Sequence, residues 1–442
     1  MNNKNLIKPS ILPGFMELMP NEQLVFNSML RTIQESYELF GFVPLDTPII
    51  ERAEVLLAKA GSEATKQTYR FKKGDTDQAL RFDLTVPLAR YVSQHFRDLI
   101  FPFRRYQIGK VYRGEKPQKG RFREFYQCDV DIIGKGNLDF VNDAEILAVT
   151  YFTFNRLGIG KFCIKLNNRK ILSGFIEDLG IKEQVADVMR LIDKLEKVGK
   201  EVFIKELKNL NINSDQVEVL TNLLTIHEDA SSTIKRLREL KIENNMFKDG
   251  VNELEEVVQY IKYLDIPETN WKIDLSVARG LDYYTGTVYE TVLVDYPELG
   301  AVCSGGRYDN LAEYYTEEKL PGVGISLGLT RLFYQLNELN LIDKHSLTPT
   351  KVLLLPLTES LSETFGIATQ LRLRSIPTEV YAHQASLTKK LEYSNKLGVE
   401  YAGIIGEKEL KESSITLKNM KTGEQSNIKQ KDLVTFLKTK LG

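Results

Sequence analysis

Two periods of apolar residues alternate along the chain. Between Asn21 and Phe40 the spacing is helical: Phe26, Leu30, Ile33 and Tyr37 form one stripe, with Pro20 and Asn21 as a start signal and Gly41 at the stop position. GFVPLDTPII follows as a proline-bounded edge strand, with a helix start near Glu51. Gln78 to Tyr91 reads as strand, turn and helix. Phe101 to Tyr112 and Phe125 to Ile133 are rich in aromatic and β-branched residues and flank a basic loop, Lys116 to Arg123, containing Pro117 and Gly120. This predicts a hairpin. An apolar helix from Asp143 to Leu157 and a strand from Phe162 to Leu166 come next.

The texture changes between Ser173 and Lys262. Charged, leucine-rich amphipathic segments dominate, and Val251, Leu254, Val258, Ile261 and Leu264 mark another helical stripe. This predicts a helical domain, 173–262, inserted between strands of a sheet, because strand patterns return at Lys272 to Asp295, Ala301 to Leu311 and Leu320 to Leu332. Beyond a linker at 343–350 the pattern alternates: VLLLPL, a helix from Leu361 to Arg374, TEVYA, a helix near Leu387 to Leu397, then YAGIIG. That predicts a compact α/β domain, 351–442, with a largely parallel sheet.

Composition narrows this picture little. With 442 residues, 42% hydrophobic and 27% charged, the chain is long enough for two or three domains of ordinary globular type. Its formal net charge is −1, so a nucleic-acid site must be a local patch. The C-terminal stretch from Lys351 is mildly basic, with 14 Lys and Arg against 10 Asp and Glu. Cys128, Cys163 and Cys303 are too scattered for a CxxC site or a disulfide framework, which suits a reducing cytoplasm. No apolar leader and no run of about 18 apolar residues is present, which points away from a membrane.

Candidate chemistry begins in the hairpin. Period two puts Phe125, Gln127, Asp129 and Asp131 on one face, and Tyr126, Cys128, Val130 and Ile132 on an ordinary core face. Arg113 and Glu115 share a face of the partner strand. A guanidinium suits a phosphate, and a ring suits a base. Read alone, the stretch equally fits a hairpin with a solvated basic tip. Period two also places Arg81, Asp83 and Thr85 together, where a carboxylate and a hydroxyl can receive an ammonium group. Either residue could instead cap the following helix. RGLDYYTG, Arg279 to Gly286, joins an arginine and two tyrosines to a glycine turn. AVCSGGRYDNL places Gly305 and Gly306 where backbone could approach a small ligand, although tight turns with core tyrosines explain both stretches too. Gly322, Gly324 and Gly328 have the wrong spacing for a dinucleotide fingerprint.

Taken in order, these stretches resemble the class II aminoacyl-tRNA synthetases, specifically the histidyl enzymes. RGEKPQKGRFREFYQ is similar to the family's second class motif, LPGVGISLGLTRL to the third, and GFVPLDTPII to the first, whose proline lies at a dimer interface. RGLDYYTG and AVCSGGRYDNL resemble the two histidine-specific motifs. The segment RFDLT keeps the family's amino-group carboxylate one methylene shorter, in the form associated with its eukaryotic and archaeal branch. Thr330 stands where a glutamate is common.

The resemblance implies an α+β catalytic domain built on an antiparallel sheet, 1–172 and 263–342, with the helical insertion and a C-terminal α/β anticodon-binding domain. It implies a histidine–tRNA ligase that uses ATP and Mg²⁺, the metal held mainly through ATP, and a homodimer acting on tRNA(His). Arg113 and Arg279 would be catalytic. Arg113, Glu115, Phe125 and Arg331 would bind ATP. Asp83, Thr85, Gln127, Asp131, Arg279, Tyr283 and Tyr284 would bind histidine, and Gln118, Lys119 and Arg121 would touch the tRNA acceptor end. Two alternatives share the fold: the non-catalytic regulatory subunit of ATP phosphoribosyltransferase, and a stress-sensing tRNA-binding module. The C-terminal domain and the intact RGLDYYTG arginine weigh against the first. The complete set of arginines weighs against the second.

Overall fold

The computed structural model describes residues 7–58, 62–116, 118–226, 228–279, 283–342, 347–359 and 361–441. Pro117 and residues 280–282, which belong to two of the motifs above, lie outside the described residues. So do 343–346 of the linker. By its internal packing the chain falls into two units, Met1–Met16 with Met29–Leu341, and Glu17–Ser28 with Ile342–Gly442.

The strands in chain order are β1 (Val43–Pro44), β2 (Ile50–Arg52), β3 (Arg70–Lys73), β4 (Thr76–Leu80), β5 (Phe103–Tyr112), β6 (Glu124–Ile133), β7 (Phe162–Asn168), β8 (Trp271–Ile273), β9 (Thr287–Leu293), β10 (Cys303–Tyr308) and β11 (Gly322–Gly328) in the first unit. The second unit holds β12 (Val352–Pro356), β13 (Thr378–Val380), β14 (Tyr401–Ile405), β15 (Ser414–Asn419) and β16 (Gln425–Lys429).

Eight strands of the first unit form one sheet in the order β1-β5-β6-β11-β10-β9-β7-β8. Its interior pairs are antiparallel. Only the outermost pairs, β1 with β5 and β7 with β8, are parallel. The expected hairpin is β5–β6, and its register sets Arg105 opposite Asp131, Gln107 opposite Asp129 and Val111 opposite Phe125. On the other side of β6, β11 sets Gly328 opposite Gln127, Ser326 opposite Asp129 and Gly324 opposite Asp131.

One sheet face is sealed by helices. Helix Pro20–Leu39 buries Phe26, Ile33 and Tyr37 as its spacing predicts, and the Tyr37 hydroxyl donates to Cys128 O at 3.0 Å. Helix Val141–Leu157 packs on β6, β7 and β11 and ends at Gly158 in the left-handed region. β2, β4 and β3 form a small separate sheet.

One local expectation fails. β4 ends at Leu80, so Arg81, Asp83 and Thr85 do not share a strand face. The buried Arg81 side chain turns away to Lys110 O (2.7 Å) and Thr47 O (2.6 Å), while the backbone bends into helix Thr85–His95. The segment between β8 and the preceding helix Arg169–Asp178 is helical throughout its regular structure, with helices Val185–Val198, Lys200–Asn209, Ser214–Leu224, Ala230–Glu239 and Asn245–Tyr263. The last buries Val251, Leu254, Val258 and Ile261.

In the second unit the strand order is β13-β12-β14-β15-β16. The first three strands are parallel, joined by helices Ser362–Leu373 and Leu387–Leu397, but β15 and β16 form an antiparallel hairpin beside them. The sheet is therefore mixed. Asn419 and Gly423 (φ 77°) make the tight turn that joins β15 to β16 and lets them return without a crossover helix.

Candidate functional site

The open face of the large sheet carries a cavity of about 660 Å³. Phe125, Gln127, Asp129 and Asp131 reach it from β6 at alternate positions, as period two requires. Arg113 and Glu115 come from the end of β5, Asp83 and Thr85 from the start of helix Thr85–His95, and Arg279, Tyr283 and Tyr284 from the connection into β9. Arg331 arrives from the first turn of helix Leu329–Glu338. Three guanidiniums from remote parts of the chain, at 113, 279 and 331, therefore face one cavity.

Each arginine has a different setting. The Arg113 guanidinium lies 4.4 Å from the ring centroid of Phe82 and 5.1 Å from that of Phe125, and its Nε donates to Phe82 O at 3.2 Å. Burial pulls its pKa down, with the Asp83 and Glu115 carboxylates opposing. Arg279 adopts φ 53°, a left-handed conformation uncommon for a residue with Cβ. Its Nη1 donates to Glu290 at 2.9 Å, while its buried Nε has no partner among the described residues. Burial lowers its pKa, but Tyr284 and Glu290 outweigh that and raise it. Arg331 donates to Leu299 O at 2.7 Å and also leaves its Nε unpartnered.

The floor is acidic. Asp83 Oδ1 accepts the Val86 N–H at 3.0 Å, so it caps the helix and lines the cavity at once. The two readings of that residue are compatible. Asp131 Oδ1 accepts the Tyr308 hydroxyl at 2.6 Å, and its Oδ2 lies 2.8 Å from Arg105 Nη2 as an ion pair, without a hydrogen-bond partner among the described residues. Arg105 is fully buried. Gln127 Nε2 donates to Ser326 Oγ at 2.6 Å, which leaves its Oε1 unpaired. Burial raises the pKa of Asp83, Asp129 and Asp131 alike. The rings of Tyr283 and Tyr284 stand 4.6 Å apart at the cavity edge.

Of the three loop residues, only Arg121 lines the cavity, where it pairs with Glu115 at 3.4 Å. Gln118 forms a backbone bridge with Arg121, and Lys119 is exposed, 3.2 Å from Glu338. Thr330 is buried away from the cavity, and its hydroxyl accepts the Tyr126 N–H at 2.8 Å. Gly305 and Gly306 do not open space for a ligand. A Cβ on Gly305 would lie 2.0 Å from Gly324 O, and one on Gly306 2.5 Å from Thr287 O, so their role is close strand packing. Arg307 is likewise structural, buried against Asp143 at 2.5 Å.

Sequence reasoning passed over Arg105, Glu290, Ser326 and Tyr308, and gave Asp129 a face without a role. It also passed over Asp193, Glu196 and Lys197, which line the cavity from helix Val185–Val198. That helix is tied to the sheet where Lys165 on β7 pairs with both Glu196 and Asp274. Alternation on β6 was the one signal available for Asp129. No local pattern marks the others.

The arrangement suits a nucleoside triphosphate beside a small cationic ligand: separated guanidiniums, one aromatic face and a floor of carboxylates. Comparison with known proteins agrees. Residues 14–332 match the family described as histidyl-tRNA synthetase, and residues 351–440 match the anticodon binding domain. A histidine–tRNA ligase of Clostridium tetani is 55% identical across 98% of this chain and 99% of its own length. The crystal structure of histidyl-tRNA synthetase from Nostoc sp. PCC 7120 superposes with a TM-score of 0.91 at 37% identity, covering 98% of this chain and 100% of that one. An ATP phosphoribosyltransferase regulatory subunit/histidyl-tRNA synthetase from Bacillus halodurans shares the fold, with a TM-score of 0.73 at 20% identity over 90% of this chain and 99% of that one. With one family matched across the catalytic region and its ligases matched end to end, the chain belongs to the histidyl-tRNA synthetases.

Proposed function

We propose that the protein is a histidine–tRNA ligase that forms histidyl-adenylate from histidine and ATP in the cavity above and then transfers histidine to the 3′ end of tRNA(His). The observation that carries the reading is the convergence of Arg113, Arg279 and Arg331 on one cavity with a carboxylate floor. End-to-end identity to ligases supports it over the regulatory-subunit alternative.

In the first step a carboxylate oxygen of histidine bonds to the α-phosphorus as the bond to pyrophosphate breaks. A carboxylate is ionised near pH 7, so this nucleophile needs no base. The work of the site is positioning and charge neutralisation. Arg113 holds the α-phosphate and Arg279 approaches it from the other side, exchanging Glu290 for substrate oxygens. Arg331 takes the γ-phosphate. Phe125 stacks on adenine, with Glu115 at its amino group. Asp83, Thr85, Gln127 and Asp131 receive the histidine ammonium, and Tyr283 and Tyr284 close round the imidazole. Mg²⁺, carried on the outer phosphates, would neutralise their charge. Glu290 and Glu298 line the cavity and supply oxygen donors suited to that ion. Gln118, Lys119 and Arg121 meet the acceptor end.

In domain terms, 1–172 and 263–342 form the catalytic domain, 173–262 the insertion and 351–442 the anticodon-binding domain. Among the described residues from Val185 to Tyr263 the regular structure is all helix, which supports that division. The enzyme acts as a homodimer. The exposed apolar side chains of Val43, Ile49 and Ile50 in the first class motif support this.

Histidine-dependent ATP–pyrophosphate exchange tests the reading. Wild type exchanges, whereas Arg279→Ala loses exchange by a factor of about a hundred or more while remaining folded. Near-normal exchange by that variant would remove the mechanism.

A further inference from the structure

The segment that carries Arg279 has no regular structure of its own. Between β8 and β9 the described residues, 274–279 and 283–286, form neither helix nor strand. Backbone carbonyls in such a segment need partners from elsewhere. They find them at the end of β7. Lys165 pairs with Asp274 at 3.4 Å. Two residues on, the fully buried Asn167 donates through Nδ2 to Leu275 O at 3.2 Å and Val277 O at 2.9 Å. Two further on, Arg169 Nη1 donates to Ala278 O at 3.0 Å and Arg279 O at 2.5 Å, while its backbone N–H donates to Gly286 O at 2.9 Å. Arg169 therefore grips both ends of the motif Arg279 to Gly286.

Arg279 needs such a grip more than its neighbours do. Its φ of 53° is costly for a residue with Cβ and persists only where the surroundings impose it. Its side chain is lightly held: Nη1 donates to Glu290, and Nε has no partner among the described residues. The aim of the guanidinium must then come from the backbone beneath it. The brace is itself anchored. On either side of Arg169, Asn168 Nδ2 donates to Glu253 Oε2 at 2.8 Å and Lys170 Nζ to Glu253 Oε1 at 2.5 Å. Glu253 belongs to helix Asn245–Tyr263. A Cβ on Gly250 of that helix would lie 2.7 Å from Ile171 N, so the two helices meet almost backbone to backbone.

We propose that Arg169 is a positioning residue for adenylate formation: it holds the backbone of Arg279 in the left-handed conformation and so aims the catalytic guanidinium at the α-phosphate. This rests on the ligase reading and goes beyond it. Arg169 does not line the cavity, so it acts through Arg279 and not on substrate. Its effect falls on the transition state, where a small error in the aim of a charged donor is expensive. Substrate affinity, set mainly by the other cavity residues, is affected less. Both carbonyls are served by one nitrogen of Arg169, so an ammonium with three donors can stand in for it. An apolar side chain of similar length cannot.

The test is histidine-dependent pyrophosphate exchange by Arg169→Met and Arg169→Lys, measured well below their melting temperatures. The methionine variant should lose about tenfold to a hundredfold in kcat and keep KM for histidine and for ATP within about threefold of wild type. The lysine variant should recover most of that loss. In an Arg279→Ala background the methionine change should cost less than about twofold, because no guanidinium is left to aim. A merely structural Arg169 predicts otherwise: a lowered melting temperature with kcat per folded molecule unchanged, or the same loss in both backgrounds. Either result overturns the assignment, as does a lysine variant no better than methionine. If Arg169→Met does not fold, Arg169→Gln is read by the same criteria. Absence of exchange by wild type sinks the ligase reading along with this one. Normal wild-type exchange with kcat of the methionine variant within about twofold sinks this inference alone.

Discussion

Arg105 shows how a single side chain organises the site without touching substrate. It is fully buried, pairs with Asp131 at 2.8 Å and leaves its Nε and Nη1 unpartnered. Removing one member of a buried ion pair strands the other, at a typical cost of about 3–5 kcal/mol. Arg105→Met should therefore lower the unfolding free energy by about that amount in urea titration, and raise KM for histidine because Asp131 then takes up a proton. This residue was not legible in the sequence. It sits among strand formers in FPFRRYQIG, and only the register opposing it to Asp131 turns it from a strand arginine into a floor residue. The β6 side chains were legible because alternation along one strand needs no knowledge of its partner. Arg81 was misread for the complementary reason: alternation was extended past Leu80, where the strand ends.

At the level of elements, close strand contact shapes the pocket. A Cβ added to Gly324 on β11 would lie 2.2 Å from Asp131 Oδ1 and 2.5 Å from Val130 O. Neither neighbour can yield easily, since Asp131 is held from both sides and Val130 O is backbone. Gly324→Ala should displace Asp131 and reduce kcat/KM for histidine about a hundredfold or more, with a lowered melting temperature, measured by exchange and calorimetry. Helices were read well where their stripes were clear, as at Pro20–Leu39 and Asn245–Tyr263. The C-terminal hairpin was not. Its outer strand, β16, alternates between exposed and half-buried positions, so it lacks the apolar run that marked the parallel strands.

Over the whole molecule, the order of strand-rich, helical and alternating textures was enough to infer the architecture, because each texture persists over many residues. Contacts between textures were not readable. Nothing local announces that helix Val185–Val198 walls the cavity, since the link runs through Lys165 to Glu196 and Asp274 across long stretches of chain. The proposed dimer belongs to this scale too. Ile50 is 48% exposed on β2, within the first class motif. Ile50→Asp should shift the sedimentation coefficient from dimer towards monomer and depress exchange with it. A wild-type protein that sediments as a monomer at micromolar concentration would remove the dimer.

The stack of Arg113 between Phe82 and Phe125 has a consequence for how nucleotides are told from nucleosides. The cation lies over the ring on which adenine is proposed to stack. On the proposed binding mode a triphosphate would draw the guanidinium off its ring perch and hand that surface to the base, so charge would open the berth that stacking then fills. Adenosine brings the base without the lure and must evict the cation unaided. One side chain thus serves as both doorkeeper and clamp.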